Sequence, residues 1–296
     1  MPAENIIDLL ASSTGPTFSV EFFPPSDDAG VQQLLGALEA LQPLEPDWVS
    51  VTYGATGASR YKTFSAVGAL RGQTATSLIG HLTIAGQSKS DVVRAIEAYE
   101  RLGVTHILAL RGDPPRGESF VPHPEGLTSA TELVTLIKSL GDFTVGVAAF
   151  PDGHPESTLE LDAEILLAKE RAGAEFAITQ LFFDADAYAA MVARFRALGG
   201  TMPIIAGIMP ITVPSQIERF ASLSGSGMPA AFEAQLRSVA DDRARFREVG
   251  IELVTDLCRQ VIAAGAPGLQ FFTLNRSTAT HDILSRLRST ADALPA

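Results

Sequence analysis

The stretch Ser90–Asp113, SDVVRAIEAYERLGVTHILALRGD, carries one complete unit of the architecture. From Ser90 to Leu102, Val93, Ile96 and Leu102 keep roughly one face while Arg94, Glu97 and Glu100 fall elsewhere, as in an amphipathic helix. Gly103 is placed to end that helix, because glycine takes the left-handed conformation of a C-cap. A short apolar run from His106 to Leu110 then reads as a strand and stops on Arg111-Gly112-Asp113. Helix, glycine, strand and polar loop is the grammar of parallel strands joined by crossover helices.

The grammar extends in both directions. Strand-like runs lie at Phe18–Phe23, Trp48–Thr52, Ser77–Leu82, His106–Leu110, Val145–Ala149, Phe176–Thr179, Ile204–Gly207 and Leu269–Phe272. The helix-glycine-strand order returns at Gly173 and Gly265. Eight such units predict an α/β fold, a (β/α)8 TIM barrel, with an open doubly wound sheet as the alternative that counting leaves standing. A Ser/Gly-rich piece, Ser222–Met228, and a charged helical piece, Pro229–Arg247, predict an insertion at about 222–247 between the seventh and eighth strands. No repeat or low-complexity linker divides the chain, so a single barrel domain over 1–296 is expected.

Composition narrows the partners. The chain is 46% apolar, with 22 Lys+Arg against 34 Asp+Glu, a formal charge of −12. That balance, with only four lysines, argues against nucleic acid and anionic membranes as partners. The one cysteine, Cys258, forms no internal disulfide, and no metal motif surrounds it, which fits a reducing compartment. The start, MPAENIIDLLASS, has no basic segment, and no apolar stretch reaches the roughly 18 residues of a membrane span. A cytoplasmic protein acting on small molecules is expected, and no sequence feature sets its subunit number.

In a barrel, chemistry sits on loops at the carboxyl ends of the strands. There the sequence places Glu21, Thr52, Tyr53, His81, Arg111, Asp113, His154, Gln180 and Asn275. In Phe18-Ser19-Val20-Glu21-Phe22-Phe23, alternation sets Ser19 and Glu21 opposite Val20 and Phe22. If the apolar face meets the helices, Glu21 points into the barrel, where burial raises a carboxyl pKa and makes a general acid. A structural Glu neutralised by an interior Arg is the competing reading. Gly112 permits close backbone approach to a ligand between Arg111 and Asp113, unless those two form only a structural pair. His81 and His154 have no metal-binding spacing and serve equally as ligand contacts or packing residues. No lysine follows a strand directly, which weakens a Schiff-base chemistry. With no Gly-x-Gly-x-x-Gly after a strand and no Walker loop, any dinucleotide must bind at the barrel mouth.

These segments together resemble the methylenetetrahydrofolate reductase family. The likeness runs from about Phe18 to Arg276 through Val20-Glu21-Phe22-Phe23-Pro24-Pro25, Val49-Ser50-Val51-Thr52-Tyr53-Gly54-Ala55, His81-Leu82-Thr83, His106 to Asp113, His154-Pro155-Glu156, Ile178 to Asp184, and Phe272-Thr273-Leu274-Asn275-Arg276. The resemblance implies reduction of 5,10-methylenetetrahydrofolate to 5-methyltetrahydrofolate, with NADH as electron source and usually FAD as relay. It implies Glu21 as the acid that protonates N10 and Asp113 as the carboxylate beside the pterin. Thr52, Gln180, Gln216, Phe220 and Arg276 match folate or nicotinamide-nucleotide contacts. Tyr53, Ala55, His81, Arg111, Gly112, Asp113, His154, Asp162 and Lys169 match cofactor positions. Departures fall on the polar groups that would hold FAD: Phe150 stands for a Tyr, Ile165 for an Asn and Ala168 for an Arg. Losing charge-assisted bonds of about 1.5–3 kcal/mol each places bound FAD in doubt, so direct hydride transfer from NADH is weighed beside the FAD relay. A folate-binding regulatory protein without turnover and a proline-dehydrogenase-like flavin barrel are the remaining alternatives.

Overall fold

The computed structural model describes residues 4–54, 57–114, 118–223 and 227–291. Ala55 and Pro115 lie outside them. Eight strands, β1 (Thr17–Phe22), β2 (Trp48–Val51), β3 (Ser77–Thr83), β4 (His106–Leu110), β5 (Thr144–Ala149), β6 (Phe176–Thr179), β7 (Ile204–Ile208) and β8 (Gly268–Phe272), pair in parallel and in sequence order. The pairing of β8 with β1 closes the barrel, so the open sheet is excluded. Around it run α1 (Ile6–Ser12), α2 (Asp28–Leu41), α3 (Gly57–Arg71), α4 (Lys89–Arg101), α5 (Ala130–Leu140), α6 (Leu159–Arg171), α7 (Ala185–Ala197), α8 (Gln216–Ala221), α9 (Ala230–Arg237), α10 (Arg243–Ala263) and α11 (Thr278–Ala291).

Local chemistry sets the element ends. Ser88 and Asp91 form a reciprocal capping box at the start of α4, satisfying amides that the first helical turn leaves unpaired. The helix therefore begins one residue before Ser90. Its buried positions are Val92, Ala95, Ile96 and Tyr99, a face rotated from the predicted Val93-Ile96-Leu102 because Tyr99 supplies the largest apolar surface. Gly103, Gly173 and Gly265 all take positive φ directly after their helices, at 69°, 111° and 92°. Between β7 and β8 lie α8, α9 and α10, with α10 packed on α7 and α11.

Strand alternation sorts side chains into two cores. Val20, Phe22, Val49 and Val51 face outward to the helices, while Trp48, Ile79, Leu108, Phe176 and Ile205 form an apolar floor inside the barrel. Ile6 of α1 joins that floor, and its backbone N–H donates to His106 Nε2 at 3.2 Å. Asn5 Nδ2 donates to Thr144 Oγ1 at 3.0 Å. The amino-terminal end of the barrel is thereby plugged, and the polar side chains gather at the other end.

Candidate active site

Glu21 rises from β1 into the barrel, level with Ser50 of β2 and Phe272 of β8. Its side chain is 14% exposed, and its Oε2 lies 3.5 Å from His81 Nε2. Beneath it, Gln270 Nε2 donates to Glu21 Oε2 at 3.0 Å and to Ser50 Oγ at 3.2 Å. The other end of that amide accepts from Trp48 Nε1 at 3.2 Å and Ser19 Oγ at 3.3 Å. An indole N–H is donor only, so Gln270 must turn its oxygen to Trp48 and its nitrogen to Glu21. Among the described residues no arginine pairs with the acid, so no interior Arg neutralises it there.

Electrostatics follow from this burial. Desolvation pushes the Glu21 carboxyl up to about 8, against the lowering effect of its Gln270 and Ser50 hydrogen bonds. Burial also brings His81 down to about 3. At neutral pH both groups are therefore uncharged, and the 3.5 Å contact is not an ion pair. His81 Nε2 has no hydrogen-bond partner among the described residues.

A cavity of about 520 Å³ opens above this pair, and into it the strand ends bring Glu21, Thr52, His81, Arg111, Gly112 and Asp113. His154, Asp162, Lys169 and Gln180 line it as well. Gly112 has φ 81°, and a Cβ there would lie 2.9 Å from both Ala85 and Thr83 side chains, so only glycine fits. Asp113 stands exposed on the rim.

One flank of the cavity is less polar than its motifs imply. Arg111 Nη1 already binds Glu156 Oε2 at 2.8 Å, and its guanidinium stacks 4.7 Å from the Phe120 ring centre. Lys169 Nζ donates to the Ala148 carbonyl at 3.0 Å; burial first, then nearby Arg111, lowers it to about 8, with Asp162 opposing. Asp162 Oδ2 accepts from the His154 backbone at 2.7 Å. Between these groups, Leu159, Leu161 and Ile165 present apolar surface, at 38%, 46% and 38% exposure. Phe150 meets His154 edge-on, 5.0 Å between ring centres. Ala168 is exposed and lies off the cavity wall.

Phe220, Tyr53, Gln216 and Arg276 lie apart from this cavity. Phe220 is 1% exposed and packs in the core, because Ile217 and Phe220, three residues apart on α8, form its inward face. In this structure its ring is covered by the core rather than presented to either cavity. Tyr53 turns edge-on to Phe64, 6.3 Å between ring centres, rather than into the cavity. Gln216 and Arg276 line a second cavity of about 500 Å³ with Phe272 as a shared wall. There Gln216 Oε1 also accepts from the Thr212 and Val213 amides at 2.7 and 3.1 Å, closing its turn. Asn275 is buried and clamps the Phe23 backbone with two 2.9 Å bonds. Ala55 lies outside the described residues.

Gln270 and Trp48 are the site residues that motif reading misses. The signal was present as a polar residue inside the run Leu269-Gln270-Phe271-Phe272, on the face that looks inward.

The closed parallel barrel, with its polar side chains gathered at the carboxyl-end mouth, puts the chain in the (β/α)8 class. The methylenetetrahydrofolate reductase family model matches residues 6–288, and the chain belongs to that family. It is 35% identical over 271 residues to 5,10-methylenetetrahydrofolate reductase of Escherichia coli (strain K12), covering 91% of this chain and 90% of that one. Methylenetetrahydrofolate reductase (NADH) 1 of Zea mays is 32% identical over 293 residues, 94% of this chain and 49% of the maize protein. The chain spans about half the length of such eukaryotic relatives. Among solved structures, an uncharacterized Clostridium thermocellum protein that binds two copies of 5-methyl-5,6,7,8-tetrahydrofolic acid has the same fold, with TM-score 0.64 at 14% identity over 98% of this chain and 100% of that one. Among the described residues, no helix is long and apolar enough to cross a membrane, and no cluster of His, Cys, Asp or Glu suits a metal.

Proposed function

We propose that this chain reduces 5,10-methylenetetrahydrofolate to 5-methyltetrahydrofolate with a hydride from NADH. The observation that carries the reading is Glu21, a carboxyl held neutral at physiological pH at the mouth of the barrel. Its proton passes to N10 of the substrate as the bond from N10 to the bridging methylene breaks. That leaves an iminium at N5, the electrophile a hydride requires. Asp113, on the rim of the same cavity, stabilises the positive charge of the pterin. Hydride then adds to the methylene carbon, NAD⁺ departs, and Glu21 regains a proton from solvent.

FAD does not fit the flank that the family resemblance would assign to it. Its ribose and diphosphate would face Leu159, Leu161 and Ile165, and the Arg111 guanidinium is already held by the Glu156 carboxylate, which repels phosphate. Both half-reactions are two-electron transfers, so direct transfer from NADH balances. We expect anaerobic NADH oxidation by methylenetetrahydrofolate to proceed in protein with no flavin absorbance, and added FAD to change the rate less than twofold. Turnover that starts only when FAD is added would restore the relay and overturn direct transfer.

The acid also sets a pH profile. Glu21 acts while protonated, so kcat/KM should be level through neutrality and fall about tenfold per pH unit above its pKa, at about 8. A profile that rises through pH 8 removes Glu21 as the acid.

A further inference from the structure

We infer that Asn275 is a positioning residue: by clamping the exit of β1 it fixes the depth of the Glu21 carboxyl in the barrel, an inference that rests on the folate reduction proposed above. Register pairing between β1 and β8 ends at Glu21 and Phe272. Beyond that rung β1 runs into Phe23-Pro24-Pro25, and the two prolines have no N–H to offer a neighbouring strand. The peptide groups of Phe23, two residues after Glu21, are then the last that can tie this segment down on both sides. Asn275 takes both: its Oδ1 accepts from the Phe23 N–H and its Nδ2 donates to the Phe23 carbonyl, each at 2.9 Å. Those partners leave the carboxamide one orientation, because an N–H only donates and a carbonyl only accepts. Thr273 holds the residue beneath, its N–H and Oγ1 donating to the Glu21 carbonyl at 3.2 and 2.6 Å.

The clamp is delivered by an unfavourable turn. The Arg276 N–H donates to the Thr273 carbonyl at 3.0 Å, and the two residues between, Leu274 and Asn275, have φ 51° and 55°. Glycine or asparagine suits such positions, and a leucine there is strained. Strain of this kind persists where the surroundings over-determine it. Here the Asn275 N–H donates to Thr273 Oγ1 at 3.1 Å, and Gln33 Nε2 of α2 donates to the Asn275 carbonyl at 3.0 Å. Asn275 is 3% exposed and lines neither of the two cavities, so its side chain works within the protein and reaches the chemistry through Glu21. A general acid must stand within hydrogen-bond reach of the atom it protonates. The burial that keeps Glu21 protonated also weakens if the strand end opens to water. Facing Glu21 from the other strands are His81, Gln270 and Ser50, while Arg111, Asp113 and Lys169 line the same cavity.

The test reads Glu21 directly and does not need turnover. The carboxyl stretch of protonated Glu21 is followed against pH by infrared difference spectroscopy in the wild type and in Asn275→Gly, with Glu21→Gln in each background as the blank. Glycine adopts the left-handed backbone freely, so this variant removes the clamp without adding strain. In it the Glu21 titration should move down from about 8 by about one pH unit or more. Its kcat for methylenetetrahydrofolate reduction should fall about tenfold, with the KM values for folate and NADH unmoved. Asn275→Asp serves where the glycine variant does not fold. A protonated aspartic acid has the shape of the amide and can both accept from and donate to Phe23. Its kcat should therefore recover as pH falls and drop as the new carboxyl ionises, over a range in which the wild type is level. A lower melting temperature in either variant, with the Glu21 titration and kcat unmoved, makes Asn275 purely structural and overturns the inference. A wild type that does not reduce methylenetetrahydrofolate strikes down the folate reading alone, and the titration shift in the Asn275 variants then decides whether the clamp acts on Glu21.

Discussion

Glu21→Gln should lose about 10²- to 10⁴-fold in kcat, the range supplied by a positioned general acid, while its affinity for folate changes little. Glutamine keeps the size and accepts the Gln270 hydrogen bond through its oxygen, but it has no proton to give N10. The same substitution should stabilise the protein in alkali. With its pKa raised from 4.5 to about 8, Glu21 holds a proton in the folded state that the unfolded chain has released anywhere between those values. Folding stability therefore falls as pH rises across that window, by about 1.4 kcal/mol per unit at most. Above pH 8 the wild type bears the full cost, on the order of 5 kcal/mol, and the glutamine variant bears none. A melting temperature at pH 9 that is higher by roughly 5 °C in the inactive variant is the expected signature. His81 acts on the other side: its pKa lowered to about 3 means that stability is lost as pH falls from 6.5 towards 3, in both proteins alike. An active Glu21→Gln enzyme would sink the acid role; an unchanged melting temperature at pH 9 would sink the buried neutral state.

Much of this site is legible in the sequence because a barrel puts chemistry where strands end. The eight runs lie within one residue of the strands at each end, and at their ends Glu21, Thr52, His81, Arg111, Asp113, His154 and Gln180 line one cavity, while Tyr53 and Asn275 do not. Alternation in β1 alone was enough to aim Glu21 inward. What could not be read were contacts between distant strands. Gln270 touches residues of β1 and β2 that lie 220 to 251 positions away, and nothing local to β8 announces them. Direction on a short helix is equally hidden: six residues of α8 do not say whether Phe220 looks to the ligand or to the core. Arg111 shows a third limit, since its carboxylate partner is Glu156, 45 residues on, and not the neighbouring Asp113.

Trp48→Ala should cost about 3–5 kcal/mol of stability, as loss of a large buried ring does, and Trp48→Phe should separate that loss from a chemical one. Trp48 is fully buried in the floor of the barrel, yet its N–H is also what fixes the Gln270 amide. In the wild type, Gln270 offers Glu21 a donor, and a protonated carboxyl beside a donor must send its own proton elsewhere, towards the cavity. Phenylalanine fills most of the ring volume but supplies no N–H. Gln270 is then free to rotate and present its oxygen, which accepts the Glu21 proton and holds it away from the substrate. The neutral acid gains a partner and the carboxylate loses one, so the alkaline limb of kcat/KM should move above 8 while kcat falls roughly tenfold and the folate KM stays put. A purely structural Trp48 predicts a lower melting temperature with the limb unmoved. The limb is therefore the decisive reading, because it reports which way a buried amide faces and so which way the catalytic proton points.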